Sequence, residues 1–340
     1  MKEKTARFEN IISELLKSEE REYDYFHNAQ TNIPQRKEII AIIKNIQSLM
    51  FPDYFHLEEN NGKTALEVLL GVHRRLVVQI GAAYAFCAEC ESDVDAESLA
   101  SEIAEAIPRI KEALIKDVQA IYEGDPAARS PEEIILSYPG FYAISIYRIA
   151  HEFYIRRIPY LARLMTEYAH EKTGIDIHAG ATIGEYFFID HGTGVVIGET
   201  AVVGDDVVIY QGVTLGGTGK DTGKRHPTIE DRVMLSAGAK VLGSFRVGHD
   251  SRIGAGSVVL KPVPPHSTVV GVPGRVVKTN DVRVADLDQV HVPDPILEEF
   301  SRLNERIIQL EKELGIHACR YSIAQDIMPS ANPGEEEENS

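Results

Sequence analysis

The sequence predicts an α+β chain: an all-helical N-terminal domain, a solenoid of short parallel strands, and a short C-terminal helix. Three periodicities predict it. Through residues 1–173, apolar residues recur at three- and four-residue steps, the spacing of an amphipathic helix. From Ile177 an aliphatic residue recurs every six positions, at 177, 183 and 189, then after a slip of two at 197, 203, 209 and 215. After a glycine-rich insertion the beat resumes at 229, 235, 241, 247, 253 and 259. Six suits neither a helix nor a plain strand, but it does suit triangular coils of three strand-and-turn hexads. From Ile296 a heptad pattern runs through Phe300, Leu303, Ile307, Leu310 and Leu314.

Each element has its own signals. Helical runs cover Ile11–Leu16, Ile39–Met50, Leu66–Phe86 and Ile103–Ile121. Ser130-Pro131-Glu132-Glu133 starts a helix, with Ser130 as N-cap, proline at the first helical position and Glu133 reaching back. Pro139 and Pro159 open two more, and Gly174 stops the second. Residues 174–280 hold 19 of the 26 glycines, as tight corners require. Residues 216–227 are too long for a corner and are expected to leave the coil. Residues 281–328 form a C-terminal arm carrying the heptad helix 296–314, packed on its own subunit or between subunits. Residues 329–340 form an acidic tail expected to be disordered.

The net charge of −17 argues against nucleic acid and anionic membranes. The solenoid is itself neutral, with ten acidic and ten basic residues between 174 and 280. The sequence shows no signal peptide and no apolar run long enough to span a bilayer, which predicts a cytoplasmic chain. Three cysteines are too few for a disulfide framework; Cys87 and Cys90, in an apolar helical stretch, are expected to pack in a core or interface.

Two histidines stand out: His191, at the slip in the beat within Ile189-Asp190-His191-Gly192-Thr193-Gly194, and His226, at the end of the glycine-rich insertion. Asp176 precedes His191 by fifteen residues, close to one coil, so it can lie beside that histidine and orient it as a base. A solenoid has no central cavity, so any site lies in grooves between coils or subunits.

Asp176-Ile177-His178, Asp190-His191, Gly216-Gly217-Thr218-Gly219-Lys220, Arg225-His226-Pro227 and Gly254-Ala255-Gly256-Ser257 occur in this order. With Asp125-Pro126-Ala127 and Gly140-Phe141-Tyr142-Ala143 upstream, the chain closely resembles serine O-acetyltransferase, a member of the hexapeptide-repeat acyltransferase superfamily. The resemblance runs from about Asp125 to about Val277; the first hundred residues match only loosely. It implies a left-handed parallel β-helix and homotrimers, possibly paired as dimers of trimers, with sites at subunit interfaces. It implies acetyl transfer from acetyl-CoA to L-serine, the first step of cysteine biosynthesis from serine, without a cofactor or metal, and feedback inhibition by L-cysteine.

In that family's pattern His191 is the general base and Asp176 its orienting carboxylate. Asp125 and Asp190 surround the serine ammonium, and Arg225 and His226 hold its carboxylate. Acetyl-CoA is expected against Gly217, Thr218, Ala237, Gly238, Arg252 and Ala255, and the positive charges of Lys220, Lys240, Arg252 and Lys261 make them candidates for phosphate contacts. Relatives that bind O-acetylserine sulfhydrylase insert a C-terminal isoleucine; here the sequence reads Glu338-Asn339-Ser340, so docking by that route is not expected. Acetylation of another hydroxyl acceptor (homoserine, a sugar, an antibiotic) and a non-enzymatic trimeric scaffold stay open as alternatives. A zinc hydratase of the solenoid type needs converging histidines, and no two solenoid histidines lie closer than thirteen residues.

Overall fold

The helical spacing folds into α1 (Lys2–Glu19), α2 (Arg36–Met50), α3 (Ala65–Phe86), α4 (Ala96–Gly124), α5 (Pro131–Ser137), α6 (Pro139–Ile155) and α7 (Leu161–Thr173). These come from a computed structural model that describes residues 2–19, 33–87, 89–90, 93–219, 222–279 and 295–313. Local signals set the helix ends. Ser130 accepts the Glu133 N–H, and Glu133 reaches back to the Arg129 N–H. Gly174 stops α7 in the left-handed conformation, φ 69°. One sequence expectation is corrected at the end of α3. The helix stops at Phe86, Cys87 is extended, and Cys87 and Cys90 form a disulfide instead of packing as free thiols.

After Gly174 the chain winds into the left-handed β-helix. Its strands are β1 (Asp176–Ile177), β2 (Thr182–Ile183), β3 (Phe188–Ile189), β4 (Val196–Ile197), β5 (Val202–Val203), β6 (Val208–Ile209), β7 (Thr214–Gly216), β8 (Thr228–Ile229), β9 (Met234–Leu235), β10 (Lys240–Leu242), β11 (Arg246–Val247), β12 (Arg252–Ile253), β13 (Val258–Val259), β14 (Ser267–Val270) and β15 (Arg275–Thr279). They stack as three faces of a prism. Face I is β1-β4-β7-β10-β13, face II is β2-β5-β8-β11, and face III is β3-β6-β9-β12-β14-β15. Only the last pair, β14 with β15, is antiparallel. All thirteen residues of the six-residue beat are buried, each contributing about 1.5–3 kcal/mol of apolar burial. The slip of two falls between β3 and β4, in the corner that carries His191.

The corners repeat one backbone conformation. Between faces II and III, Tyr186, Asp206, Arg232, Asp250 and His266 all take φ of 53–58°, a conformation that costs a non-glycine residue about 1–2 kcal/mol. A ladder of backbone bonds between coils offsets that cost: Asp206 N–H to Glu185 O, Arg232 to Asp205, Asp250 to Asp231, and His266 to His249, at 2.9–3.0 Å.

A buried ion pair ties the helices to the first coil. Arg148 of α6 donates to both carboxylate oxygens of Asp117 in α4, at 2.6 and 2.7 Å, and to Gly184 O at 2.7 Å. Asp117 also accepts the Phe187 N–H at 3.0 Å. Burial pushes the Asp117 carboxyl up, and the Arg148 guanidinium draws it back down. At Gly140, in the first turn of α6, a Cβ would lie 2.3 Å from Ile189 O, so glycine lets the helix sit directly on β3. These contacts bring the C-terminal end of α4, where Asp125 is the cap, beside the corner between faces III and I.

The chain divides into two compact units, Met1–Val292 and Pro293–Ser340. In the second, the heptad pattern forms α8 (Pro295–Glu313), with Phe300, Leu303, Ile307 and Leu310 exposed. The rest of the expected arm, residues 281–294 and 314–328, and the expected disordered tail, 329–340, lie outside the described residues. No described helix is long and apolar enough to cross a membrane.

Candidate active site

The III/I corner carries the first half of the site. The two extra residues of the slip make a bulge, Asp190–Val195, closed by Gly192 N–H to Asp190 O at 2.6 Å and Gly194 N–H to Gly174 O at 2.8 Å. His191 sits exposed on it in the left-handed region, φ 55°. Behind it are two carboxylates. Asp125 accepts the Ala127 N–H at 2.8 Å and the Tyr138 hydroxyl at 2.6 Å, so the Asp-Pro-Ala motif fixes its orientation. Asp190 is half-buried; desolvation pushes its carboxyl up, His191 opposes this, and Asp125 adds to it. Burial, then the bond to Asp125, raises the Tyr138 phenol well above its ordinary value, so it remains a donor. The corner therefore pairs a histidine with two neighbouring acids, an arrangement suited to an ammonium group.

Asp176 lies on β1, paired in register with Val196 just past the bulge that carries His191. Among the described residues no hydrogen bond or ion pair joins the two side chains.

The same corner continues as a column of left-handed glycines, Gly194, Gly212, Gly238 and Gly256, with φ of 67–77°. Each N–H bonds the preceding coil: Gly212 to Thr193 O, Gly238 to Gln211 O, and Gly256 to Ala237 O. A Cβ built on any of these last three glycines meets at most the next glycine's backbone, at 3.5–4.0 Å. The edge is thus an open backbone track leading away from His191, flanked by Ala237 and the exposed Ala255. Arg252 is half-buried on β12, and Lys261 is exposed. Lys240, expected as a phosphate contact, instead donates to the Gly212 carbonyl. Lys220 lies outside the described residues.

The second half of the site stands at a different corner, between faces I and II. After β7 the chain leaves the coil, exposing Gly217 and Thr218, and returns with Arg225 and His226 against the preceding coil. A Cβ at Gly198 would lie 2.1 Å from the His226 ring, so glycine makes room for that imidazole. Thr200 organises the pair: its hydroxyl accepts the N–H groups of Arg225 and His226, at 3.0 and 3.1 Å, and lies 2.9 Å from His226 Nδ1. Because Nδ1 also accepts the Thr200 N–H at 3.1 Å, it carries no proton, and the hydrogen resides on Nε2. Burial first, then the neighbouring Arg225, lowers the His226 pKa, which keeps the ring a neutral Nε2–H donor. Arg225 donates to Glu199 at 2.5 Å, and Tyr154 donates to the other oxygen of Glu199 at 3.0 Å. One guanidinium edge is thereby held while the remaining donors are left for an incoming carboxylate.

Sequence reasoning selected Asp125, Asp190, His191, Arg225 and His226 but missed Tyr138, Thr200 and Glu199, which position them. Glu199 and Thr200 directly follow Gly198, the sixth-position glycine that the loop crosses; that adjacency was the available signal.

Comparisons with known proteins agree with this geometry. Residues 83–145 match the family model described as serine acetyltransferase, N-terminal. Over 202 residues the chain is 55% identical to the serine acetyltransferase of Bacillus subtilis, covering 59% of this chain and 93% of that one. Among solved structures, serine acetyltransferase 1 of Entamoeba histolytica in complex with L-cysteine aligns with a TM-score of 0.60 and 35% identity, over 77% of this chain and 97% of that one. The isoform 3 enzyme of the same organism, in complex with cysteine, gives 0.59 and 31%, over 86% and 96%. With a relative more than half identical matched over nearly its whole length, the chain belongs to the serine acetyltransferase family.

Proposed function

We propose that acetyl transfer from acetyl-CoA to the hydroxyl of L-serine, the reaction of this family, takes place between the III/I corner of one subunit and the I/II corner of its neighbour. Within one chain the two half-sites stand at opposite edges of face I, so neither alone offers both an acidic pocket and a cation. A homotrimer that sets one corner against the other completes the site; pairing of two trimers would be a further step of assembly.

Asp125 and Asp190 receive the serine ammonium. Arg225 of the neighbouring chain binds the carboxylate bidentately, and the His226 Nε2–H adds a third donor. A serine hydroxyl is a weak nucleophile until a base removes its proton during attack. His191 takes that proton as the oxygen adds to the thioester carbonyl, then returns it to the departing thiolate when the tetrahedral intermediate collapses. Asp176, beside the bulge, orients the imidazole once the groove is occupied. The pantetheine arm runs along the glycine track by Ala237, Gly238 and Ala255, with Gly217, Thr218 and Arg252 toward the nucleotide end. Both substrates share one groove, so this route needs no acyl-enzyme and no dissociable cofactor.

L-cysteine carries the same ammonium and carboxylate as serine and would occupy the same pocket as an inhibitor. The solved relatives with bound cysteine support that reading. The observation that carries the substrate assignment is the pair of carboxylates beside His191: a sugar has no cation for them to meet. Thiol release from acetyl-CoA, measured in parallel with L-serine, L-homoserine, L-threonine and a galactoside, tests it. Serine should dominate in kcat/KM; a comparable rate with the galactoside would overturn it.

A further inference from the structure

The third corner of the prism, between faces II and III, takes no part in the proposed chemistry, yet it gathers ligating side chains. His249, Asp250 and His266 each offer one donor atom such that all three lie within 4.8 Å of one another. His249 Nδ1 is 2.7 Å and His266 Nδ1 3.8 Å from the same oxygen, Asp250 Oδ2. The two imidazoles meet edge to face, with centroids 4.8 Å apart. A tetrahedral zinc ion with bonds near 2.0–2.1 Å spaces its ligands about 3.4 Å apart, and the two observed separations straddle that value.

The scaffold is already set. Asp250 and His266 are consecutive steps of the left-handed column, held by Asp250 N–H to Asp231 O and His266 N–H to His249 O. Arg232, one coil below, donates to both Asp250 oxygens at 2.8 and 2.9 Å, the kind of outer contact that fixes a ligating carboxylate. A carboxylate has about four acceptor positions, so these bonds leave room for an ion. Asp206 and Asp231 also lie in the field of Arg232, so the surroundings of the triad are acidic despite the arginine. The separation of seventeen positions between the histidines, which conceals the pair in the sequence, amounts to roughly one turn of the solenoid.

We propose that His249, Asp250 and His266 bind one borderline divalent transition ion, with Zn(II) as the representative, clamping the last two coils together at the corner remote from His191. Nitrogen and carboxylate donors in this ratio suit such ions better than magnesium or calcium, which take oxygen cages. Three protein donors leave the fourth position to water.

The test is isothermal calorimetry of Zn(II) into the full-length, tag-free protein, alongside His249→Asn, His266→Asn and a Cys87→Ser/Cys90→Ser control. Asparagine keeps an amide near Nδ1, and circular dichroism and acetyl-transfer rate report whether each variant is folded. The expected result is one equivalent per chain whose affinity falls at least about tenfold in either histidine variant and is unchanged in the cysteine control. Zinc should raise the melting temperature of the wild type and of the cysteine control but of neither histidine variant, because only an intact site binds the folded state selectively. X-ray absorption of the zinc-loaded wild type should show two imidazoles and oxygen ligands. Absence of binding, wild-type affinity retained in either histidine variant, or sulfur ligation would overturn the proposal.

Discussion

Replacing Arg148 with methionine should destabilise the chain severely, because it strips a buried carboxylate of its cation. Asp117 has no exposed side-chain surface, and Arg148 is only 10% exposed. The substitution removes two charge-assisted hydrogen bonds from Asp117 and leaves the Phe187 N–H as its remaining donor. It also orphans the Gly184 carbonyl, whose 2.7 Å contact disappears. Breaking a buried pair from one side costs about 3–5 kcal/mol, a large share of the roughly 5–15 kcal/mol that holds a protein folded. Urea unfolding followed by two independent probes measures the loss, and Asp117→Leu/Arg148→Met should recover most of it.

The pH dependence has a definite sign. With the arginine gone, burial leaves Asp117 with a folded pKa raised above the unfolded one. The variant is then most stable below the unfolded value, near 3.9, and loses stability as pH rises from there toward the folded value. A loss under about 1 kcal/mol, or a double variant as unstable as the single one, would refute the reasoning. Because α4 ends at Asp125, surviving Arg148→Met protein should also show a raised KM for serine.

Other outcomes follow from the same geometry. His191→Ala should lower kcat by roughly 10²–10⁴ with an unchanged circular dichroism spectrum, since the side chain is exposed on the bulge; more than a tenth of wild-type turnover would contradict a general base. Asp190→Asn should raise the melting temperature at pH 7 while weakening serine binding. Its raised carboxyl favours the fold below the unfolded pKa, and that advantage is lost as pH rises; lower thermal stability at pH 7 would contradict this. Thr200→Val removes the hydroxyl that accepts the Arg225 and His226 N–H groups, so it should raise the KM for serine more than that for acetyl-CoA in steady-state kinetics. Deleting residues from 295 onward removes the exposed heptad face of α8 and should weaken the oligomer in sedimentation analysis.

Most of the architecture was legible because the solenoid writes its core as a period. Thirteen aliphatic residues six apart could be buried together only by a coil of that pitch, and the two-residue slip marked the bulge that displays His191. Helix starts were legible where a cap was local, as at Ser130. What the one-dimensional pattern concealed was which corner each residue occupies. His191 and Arg225 look like parts of one site but stand across face I from each other, while His249 and His266 look remote yet touch. Tyr138 and Thr200 were missed because their roles are hydrogen bonds made across 13 and 26 residues, with no spacing rule to signal them. The Cys87–Cys90 disulfide was missed because the sequence reading places both cysteines in the apolar helical stretch, whereas the helix ends at Phe86 and their Cα atoms stand 5.3 Å apart.

The central claim is that one active site takes His191 from one chain and Arg225 from the next. Mixing His191→Ala and Arg225→Ala subunits, by co-expression or co-refolding, tests it directly through acetyl-CoA thiol release at low serine. If the corners meet between subunits, random trimers assemble an intact pair at about one interface in four, and mixtures should regain about that fraction of wild-type activity. Activity that remains at the sum of the two separate variants would contradict the shared site.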